Sequence, residues 1–197
     1  MSWIEMGEGQ GSRPSIGQST PAMGRLDASW RGPYIERATQ SERSDLENGI
    51  DTTSQEICVF CSVFIGTDDD SGLVVKRGTL AHAILNAYPY ASGHLLVLPK
   101  RHLATLAELN TNEAAEMWDL VAKAASAVEA SYQPDGMNIG INIGRAAGAG
   151  LPGHLHVHVV PRWLGDTNFM TAVGETRVVP ESLQVSLKRL RDAFEGR

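Results

Sequence analysis

Between Gly153 and Arg162 the chain reads Gly-His-Leu-His-Val-His-Val-Val-Pro-Arg, and three of its six histidines fall inside these ten residues at alternate positions. Alternation of this kind selects an extended strand. Successive side chains on a strand point to opposite faces, so His154, His156 and His158 share one face while Leu155, Val157 and Val159 share the other. Along such a strand neighbouring histidine Cα atoms lie about 6.5 Å apart, near enough for adjacent rings to share one anionic group. Imidazole can serve as nucleophile, as acid or base, or as metal ligand near neutral pH. Three readings therefore stand side by side: a phosphate-directed catalytic strand, a three-histidine metal site, and a surface strand with incidental histidines.

The residues before this strand favour an anion. Asn142-Ile143-Gly144-Arg145-Ala146-Ala147-Gly148-Ala149-Gly150-Leu151 brings a carboxamide, a guanidinium and several glycines to its threshold. Glycine lets backbone N–H groups approach an anion closely, and arginine matches phosphate geometry. A simple turn between strands would have the same composition, so this loop carries weight only beside the histidines.

The rest of the chain supplies the frame. Residues 73–76 and 80–85 read as strands joined through Arg77-Gly78, and residues 95–98 as a strand introduced by Gly93 and ended by Pro99. Residues 57–65 are apolar and fit either a helical turn or a strand. The spacing of Met117, Leu120, Val121, Ala124 and Val128 predicts a helix from Asn110 to Tyr132, with Asn110 and Glu113 as a capping box and Pro134 as its stop. Residues 137–143 and 155–160 return to strand character, and residues 182–194 read as an amphipathic helix. This order predicts an α+β fold with a mainly antiparallel sheet. Residues 1–56 are set apart as an N-terminal arm and linker: the first 25 are Gly-, Ser-, Pro- and Gln-rich and expected to be mobile, while Trp30, Tyr34 and Ile35 offer anchors for docking.

A net charge of −6 argues against sequence-blind nucleic-acid binding, which needs a basic surface. No apolar run is long enough to span a bilayer, and residues 1–10 lack the pattern of a secretory signal. The expectation is a cytoplasmic protein with no nucleic-acid or membrane partner. In that compartment Cys58 and Cys61, three residues apart, suggest a metal or redox site rather than a structural disulfide.

Taken with its surroundings, the segment His154 to Val160 resembles the histidine-triad (HIT) superfamily of nucleotidyl transferases and hydrolases, whose signature is His-φ-His-φ-His-φ-φ with φ apolar. Cys58-Val59-Phe60-Cys61, Asn86-Ala87-Tyr88-Pro89-Tyr90-Ala91-Ser92-Gly93-His94 and Pro99-Lys100-Arg101-His102 are similar to further landmarks of that family. Pro161-Arg162-Trp163-Leu164-Gly165-Asp166-Thr167-Asn168-Phe169-Met170 resembles the branch of diadenosine tetraphosphate phosphorylases and related hydrolases. The resemblance implies a five-stranded antiparallel sheet with two main helices, spanning residues 57–197, in a homodimer. It implies that His156 is the nucleophile, with His158 and His154 as catalytic companions. Asn86 would bind ribose, Phe60 and Leu85 would line the base pocket, and Asn142, Arg145, Gly148 and Gly150 would hold phosphates. A structural zinc on Cys58, Cys61, His102 and His154 is implied as well, with no cofactor required for the chemistry.

The implied activity is cleavage of dinucleoside polyphosphates, led by phosphorolysis of diadenosine tetraphosphate to ADP and ATP. Inorganic phosphate or water would be the acceptor. Water acting on the same substrates or on nucleoside phosphoramidates is the alternative within the family, and a nucleotide-binding regulatory protein is the alternative outside enzymes. One departure stands out. Many relatives carry Gln-Ser or Gln-Thr before the triad, whereas this chain has Ala149-Gly150-Leu151-Pro152, leaving only backbone donors there.

Overall fold

The computed structural model describes residues 58–166 and 181–196. The expectations for residues 1–56 as an arm and for Thr167 to Met170 lie outside that range. Five strands form one antiparallel sheet: β1 (Val74–Arg77), β2 (Ala81–Leu85), β3 (Leu95–Pro99), β4 (Gly136–Ile141) and β5 (Val157–Arg162), in the spatial order β1-β2-β3-β5-β4. Among the described residues three α-helices accompany it: α1 (Val59–Ile65), α2 (Thr111–Tyr132) and α3 (Leu183–Phe194). The α+β expectation holds, and the segment left open between helix and strand is the helix α1.

The sheet is covered on both faces. On one side α2 and α3 bury Val97, Val157 and Val159 together with Met117, Leu120, Val121, Val128, Leu187 and Leu190. On the other, Phe60 of α1 packs with Val74, Ile84, Leu96 and Leu98, and Leu151 from the glycine-rich loop closes over them. The period-2 alternation thus sends β5 valines into the larger core and places His158, paired opposite Leu96 and Gly140, on the face shared with α1.

Helix α2 begins where its capping box requires. The Asn110 side chain accepts from the N–H groups of Asn112 and Glu113, both at 3.0 Å, and the Glu113 carboxylate accepts from the Asn110 N–H at 2.9 Å. Gln133 in the left-handed region ends it, one residue before Pro134. Behind this end, Gly93 has φ +80°, and a Cβ there would lie 2.5 Å from the Tyr132 ring, so the approach to β3 requires glycine.

Glu113 is nearly buried and also receives two hydrogen bonds from Arg101, each at 2.8 Å. The Arg101 guanidinium, and then the Asn110 N–H, hold its carboxyl down at about 2. Folding lowers this pKa, so the stabilisation is complete above the ordinary value of 4.5 and is lost as pH falls from there through about 2. Glu113→Gln is expected to cost on the order of 1–3 kcal/mol at pH 7. Urea titrations of both proteins at pH 7 and pH 3 check this, and the gap between them should narrow at the lower pH.

Candidate active site

Strand β5 starts at Val157, so only His158 of the three histidines lies within it, contrary to the single shared strand expected from the alternation. The two residues before it are drawn elsewhere. Leu155 gives its N–H to the Leu103 carbonyl at 2.6 Å, and the His154 ring turns toward the cysteines of α1. The trio therefore divides into one ring directed at a thiol cluster and two directed at a cavity.

His156 lines a cavity of about 650 Å³ bounded by α1, the end of β2, residues 86–90 and the glycine-rich loop. Its ring is only 5% exposed, and its Nδ1 lies 2.8 Å from the backbone carbonyl of His154. A carbonyl can only accept, so Nδ1 carries the proton and Nε2 keeps its lone pair. Burial lowers the pKa of this imidazole below its ordinary value, more than the bond to the His154 carbonyl raises it, which keeps the ring neutral. The Phe60 ring meets it edge-on with centroids 5.2 Å apart. The result is an oriented, unprotonated imidazole nitrogen.

His158 carries the opposite polarity, fixed by a residue the sequence reading left without a role. The Tyr90 N–H donates to His94 Nδ1 at 3.1 Å, so His94 holds its proton on Nε2 and donates it to His158 Nδ1 at 2.9 Å. His158 then presents its own N–H from Nε2. Tyr90 lies against the His158 ring at 15° between planes, with centroids 5.9 Å apart. In the sequence His94 closes the Asn86–His94 landmark and stands at the entrance to an apolar strand, and neither signal gives it a role. The two rings that line this cavity, with centroids 5.0 Å apart, thus offer one acceptor nitrogen and one donor.

Of the other residues picked from the sequence, Asn86, Phe60, Leu85, Gly148 and Gly150 line the cavity with His156 and His158. Asn86 is also engaged locally, its Oδ1 accepting the Tyr88 N–H at 3.0 Å. Asn142 lines a second cavity on the far side of His158. Arg145 lies in the exposed turn Arg145–Ala147 and lines neither cavity. Gly148, with φ +85°, folds that turn back by donating its N–H to the Arg145 carbonyl at 2.8 Å.

His154 is 1% exposed and lines neither cavity. Its Nδ1 is 3.3 Å from Cys58 Sγ and 3.5 Å from Cys61 Sγ, and His102 Nδ1 is 3.3 Å from Cys61 Sγ. The four donor atoms all lie within 4.8 Å of one another. At its far side His154 Nε2 is 2.9 Å from the Pro99 carbonyl, which fixes the proton there and turns the Nδ1 lone pair into the cluster. Burial, followed by the neighbouring Cys58, pushes the Cys61 thiol up to about 12, and burial pulls His154 down to about 4. Two thiols and two imidazoles at this spacing suit a closed tetrahedral zinc shell, whose charge would permit thiolates that burial otherwise opposes. The residues fit the group.

Comparison with known proteins agrees with this geometry. The family model for the HIT domain matches residues 69–163. An AP-4-A phosphorylase of Mycobacterium tuberculosis is 47% identical over 116 residues, which cover 59% of this chain and about 60% of that protein's length. An uncharacterized HIT-like protein of Saccharolobus solfataricus is 32% identical over 114 residues, 58% of this chain and 80% of that protein. Among solved structures, a zinc-bound histidine triad family protein from Mycobacterium smegmatis superposes with a TM-score of 0.58 at 30% identity, covering 73% of this chain and 96% of that one. Sheet order, the paired orientation of His156 and His158, and these likenesses converge, and the chain belongs to the HIT family.

Proposed function

We propose that this protein is a nucleotidyl transferase that cleaves dinucleoside polyphosphates by phosphorolysis, through a covalent nucleotidyl-His156 intermediate. The observation that carries the reading is the 2.8 Å contact between His156 Nδ1 and the His154 carbonyl, which leaves Nε2 unprotonated beside the cavity. Likeness to an AP-4-A phosphorylase supports the substrate class.

The residues divide the work as follows. Nε2 of His156 attacks the α-phosphorus of a bound dinucleotide and forms a nitrogen–phosphorus bond. The bond from that phosphorus to the bridging oxygen breaks, and its electron pair leaves with the departing nucleotide, ATP when the substrate is diadenosine tetraphosphate. An oxygen of inorganic phosphate then attacks the same phosphorus, the nitrogen–phosphorus pair returns to Nε2, and ADP is released. Covalent catalysis replaces one difficult displacement with two easier ones, and a neutral imidazole needs no strong base. The N–H of His158 donates to phosphate oxygens as their charge builds. Asn86, Phe60 and Leu85 hold the nucleoside end, while Gly148 and Gly150 allow backbone approach to the phosphates.

The Cys58, Cys61, His102 and His154 set would hold a structural zinc, which supplies charge to stabilise the thiolates and ties α1 to the residues before β5. No step of the transfer runs through it. Among the described residues β4 is an edge strand, which supports the homodimer expected of the family, since an unpaired strand edge is a template for a second copy.

Incubation with diadenosine tetraphosphate and labelled inorganic phosphate tests the acceptor. Phosphorolysis puts the label into ADP alongside unlabelled ATP. Unlabelled AMP and ATP would mean that water is the acceptor, and the phosphorylase reading would fall.

A further inference from the structure

Residues 86–94 join β2 to β3 in a loop that is closed by its own ends. The Asn86 N–H donates to the His94 carbonyl at 2.9 Å, and the His94 N–H donates to the Ala91 carbonyl at 3.2 Å. Asn86 Oδ1 accepts the Tyr88 N–H at 3.0 Å, a side-chain turn that bends the chain inside the loop. Tyr90 is thereby folded back onto the histidine that ends it.

Tyr90 engages the His94–His158 pair with two different parts of itself. Its main-chain N–H donates to His94 Nδ1 at 3.1 Å. Its ring tilts at 48° to the His94 ring with centroids 4.6 Å apart, and lies at 15° to the His158 ring at 5.9 Å. The two imidazoles are joined by the 2.9 Å bond from His94 Nε2 to His158 Nδ1. His94 is fully buried, but His158 borders both the cavity that holds His156 and a second cavity of about 710 Å³. Tyr90 is the other residue common to both linings. The bond between the histidines therefore stands where two open spaces meet, with the tyrosine ring against both partners.

Either nitrogen of a neutral imidazole can carry the proton, and water competes for both partners of an N–H···N bond. A rotated His158 ring, or its other tautomer, would present a lone pair to the phosphates in place of a donor. A flat side chain stacked on the imidazole opposes that rotation and displaces water. We propose that the Tyr90 ring is a positioning element for the phosphate donor, holding His158 in the one arrangement that keeps its N–H on Nε2. Tyr90 acts through His158, and the ring rather than the phenol hydroxyl does the work. Its effect on rate rests on the transferase reading, whereas its effect on the histidine pair does not.

The main-chain N–H survives every substitution except proline, so variants at this position test the ring. In the substrate-free full chain with ¹⁵N-labelled histidine, the His94 Nε2–H should give a slowly exchanging proton resonance, absent from His94→Gln. Tyr90→Phe should keep it, and Tyr90→Ala should exchange it at least about tenfold faster. Tyr90→Gln, which keeps length without a ring, should behave like alanine and serves if that variant unfolds. With diadenosine tetraphosphate and inorganic phosphate, Tyr90→Ala should lower kcat by about 10- to 100-fold, part of the loss expected when a transition-state donor is removed outright. KM should stay within about threefold, and Tyr90→Phe should recover kcat to within about threefold of the parent. Unchanged proton exchange in both ringless variants, a phenylalanine variant as damaged as alanine, or a shift in KM alone would overturn the proposal. The two claims fail separately. The predicted exchange pattern in a protein that turns over no dinucleotide removes the transferase reading and keeps the positioning role, while parental kcat in Tyr90→Ala does the reverse.

Discussion

His156→Ala should eliminate turnover of diadenosine tetraphosphate, by at least about 10⁴-fold in kcat, while nucleotide affinity changes only a few-fold. Removing a covalent nucleophile destroys both half-reactions at once, and losses of this size are typical when one member of a catalytic unit is deleted. Affinity is spared because the ring is one wall of a cavity whose other walls come from α1, β2 and the glycine-rich loop. His156→Asn keeps much of the shape without a nucleophilic nitrogen and should behave alike. Steady-state rates and direct nucleotide binding, compared on the same preparations, check both halves of the prediction. A variant that retains wild-type turnover would exclude the histidine as nucleophile.

The second large effect concerns the thiol cluster. Purified protein should contain one zinc per chain, and chelation or Cys61→Ser should lower the thermal midpoint by on the order of 10 °C. The reason is connectivity. Cys61 lies in α1 and Cys58 immediately before it, His102 follows β3, and His154 precedes β5, so one ion would close three chain segments that are far apart in sequence. Activity should fall as well, because His154 supplies the carbonyl that orients His156 and Phe60 sits edge-on to both rings, at 5.5 Å and 5.2 Å. Metal analysis together with thermal unfolding before and after chelation checks this. A protein that purifies without metal at an unchanged midpoint would remove zinc from the account.

Local patterns carried most of the architecture. Asn110 and Glu113 announce the start of α2 through the chemistry of a capping box, and the helical spacing of Met117 to Val128 identifies its buried face. Apolar runs ended by Gly93 and Pro99 mark β3. By contrast, residues 57–65 are too short and too uniformly apolar for period to separate helix from strand, and contact with the opposite face of the sheet decides it. The histidine trio shows the same limit at finer scale. Alternation placed all three on one strand, but the extended ladder begins only at Val157, because the His154 ring is claimed by groups 52 to 96 residues away and by the Pro99 carbonyl. Sequence spacing cannot show a partner so distant.

The site divides in the same way. His156 and His158 were legible because three alternate histidines have few other uses, and Cys58 with Cys61 because of their spacing. His94 was not, since its role depends on a hydrogen bond to His158 across 64 residues. Arg145 is attractive in the sequence as a guanidinium in a glycine-rich loop, but it lies in an exposed turn and lines neither cavity. Gly148 and Gly150 of the same loop line the His156 cavity, which composition alone could not separate from the placement of Arg145.

The central claim is a covalent bond between one imidazole nitrogen and phosphorus. Rapid mixing with diadenosine tetraphosphate, without inorganic phosphate, followed by alkaline quench and peptide mass spectrometry, reads that bond directly. An adenylyl group on His156, and on neither His154 nor His158, is the result predicted here. Consumption of substrate with no adduct, or with the adduct on another residue, would contradict it.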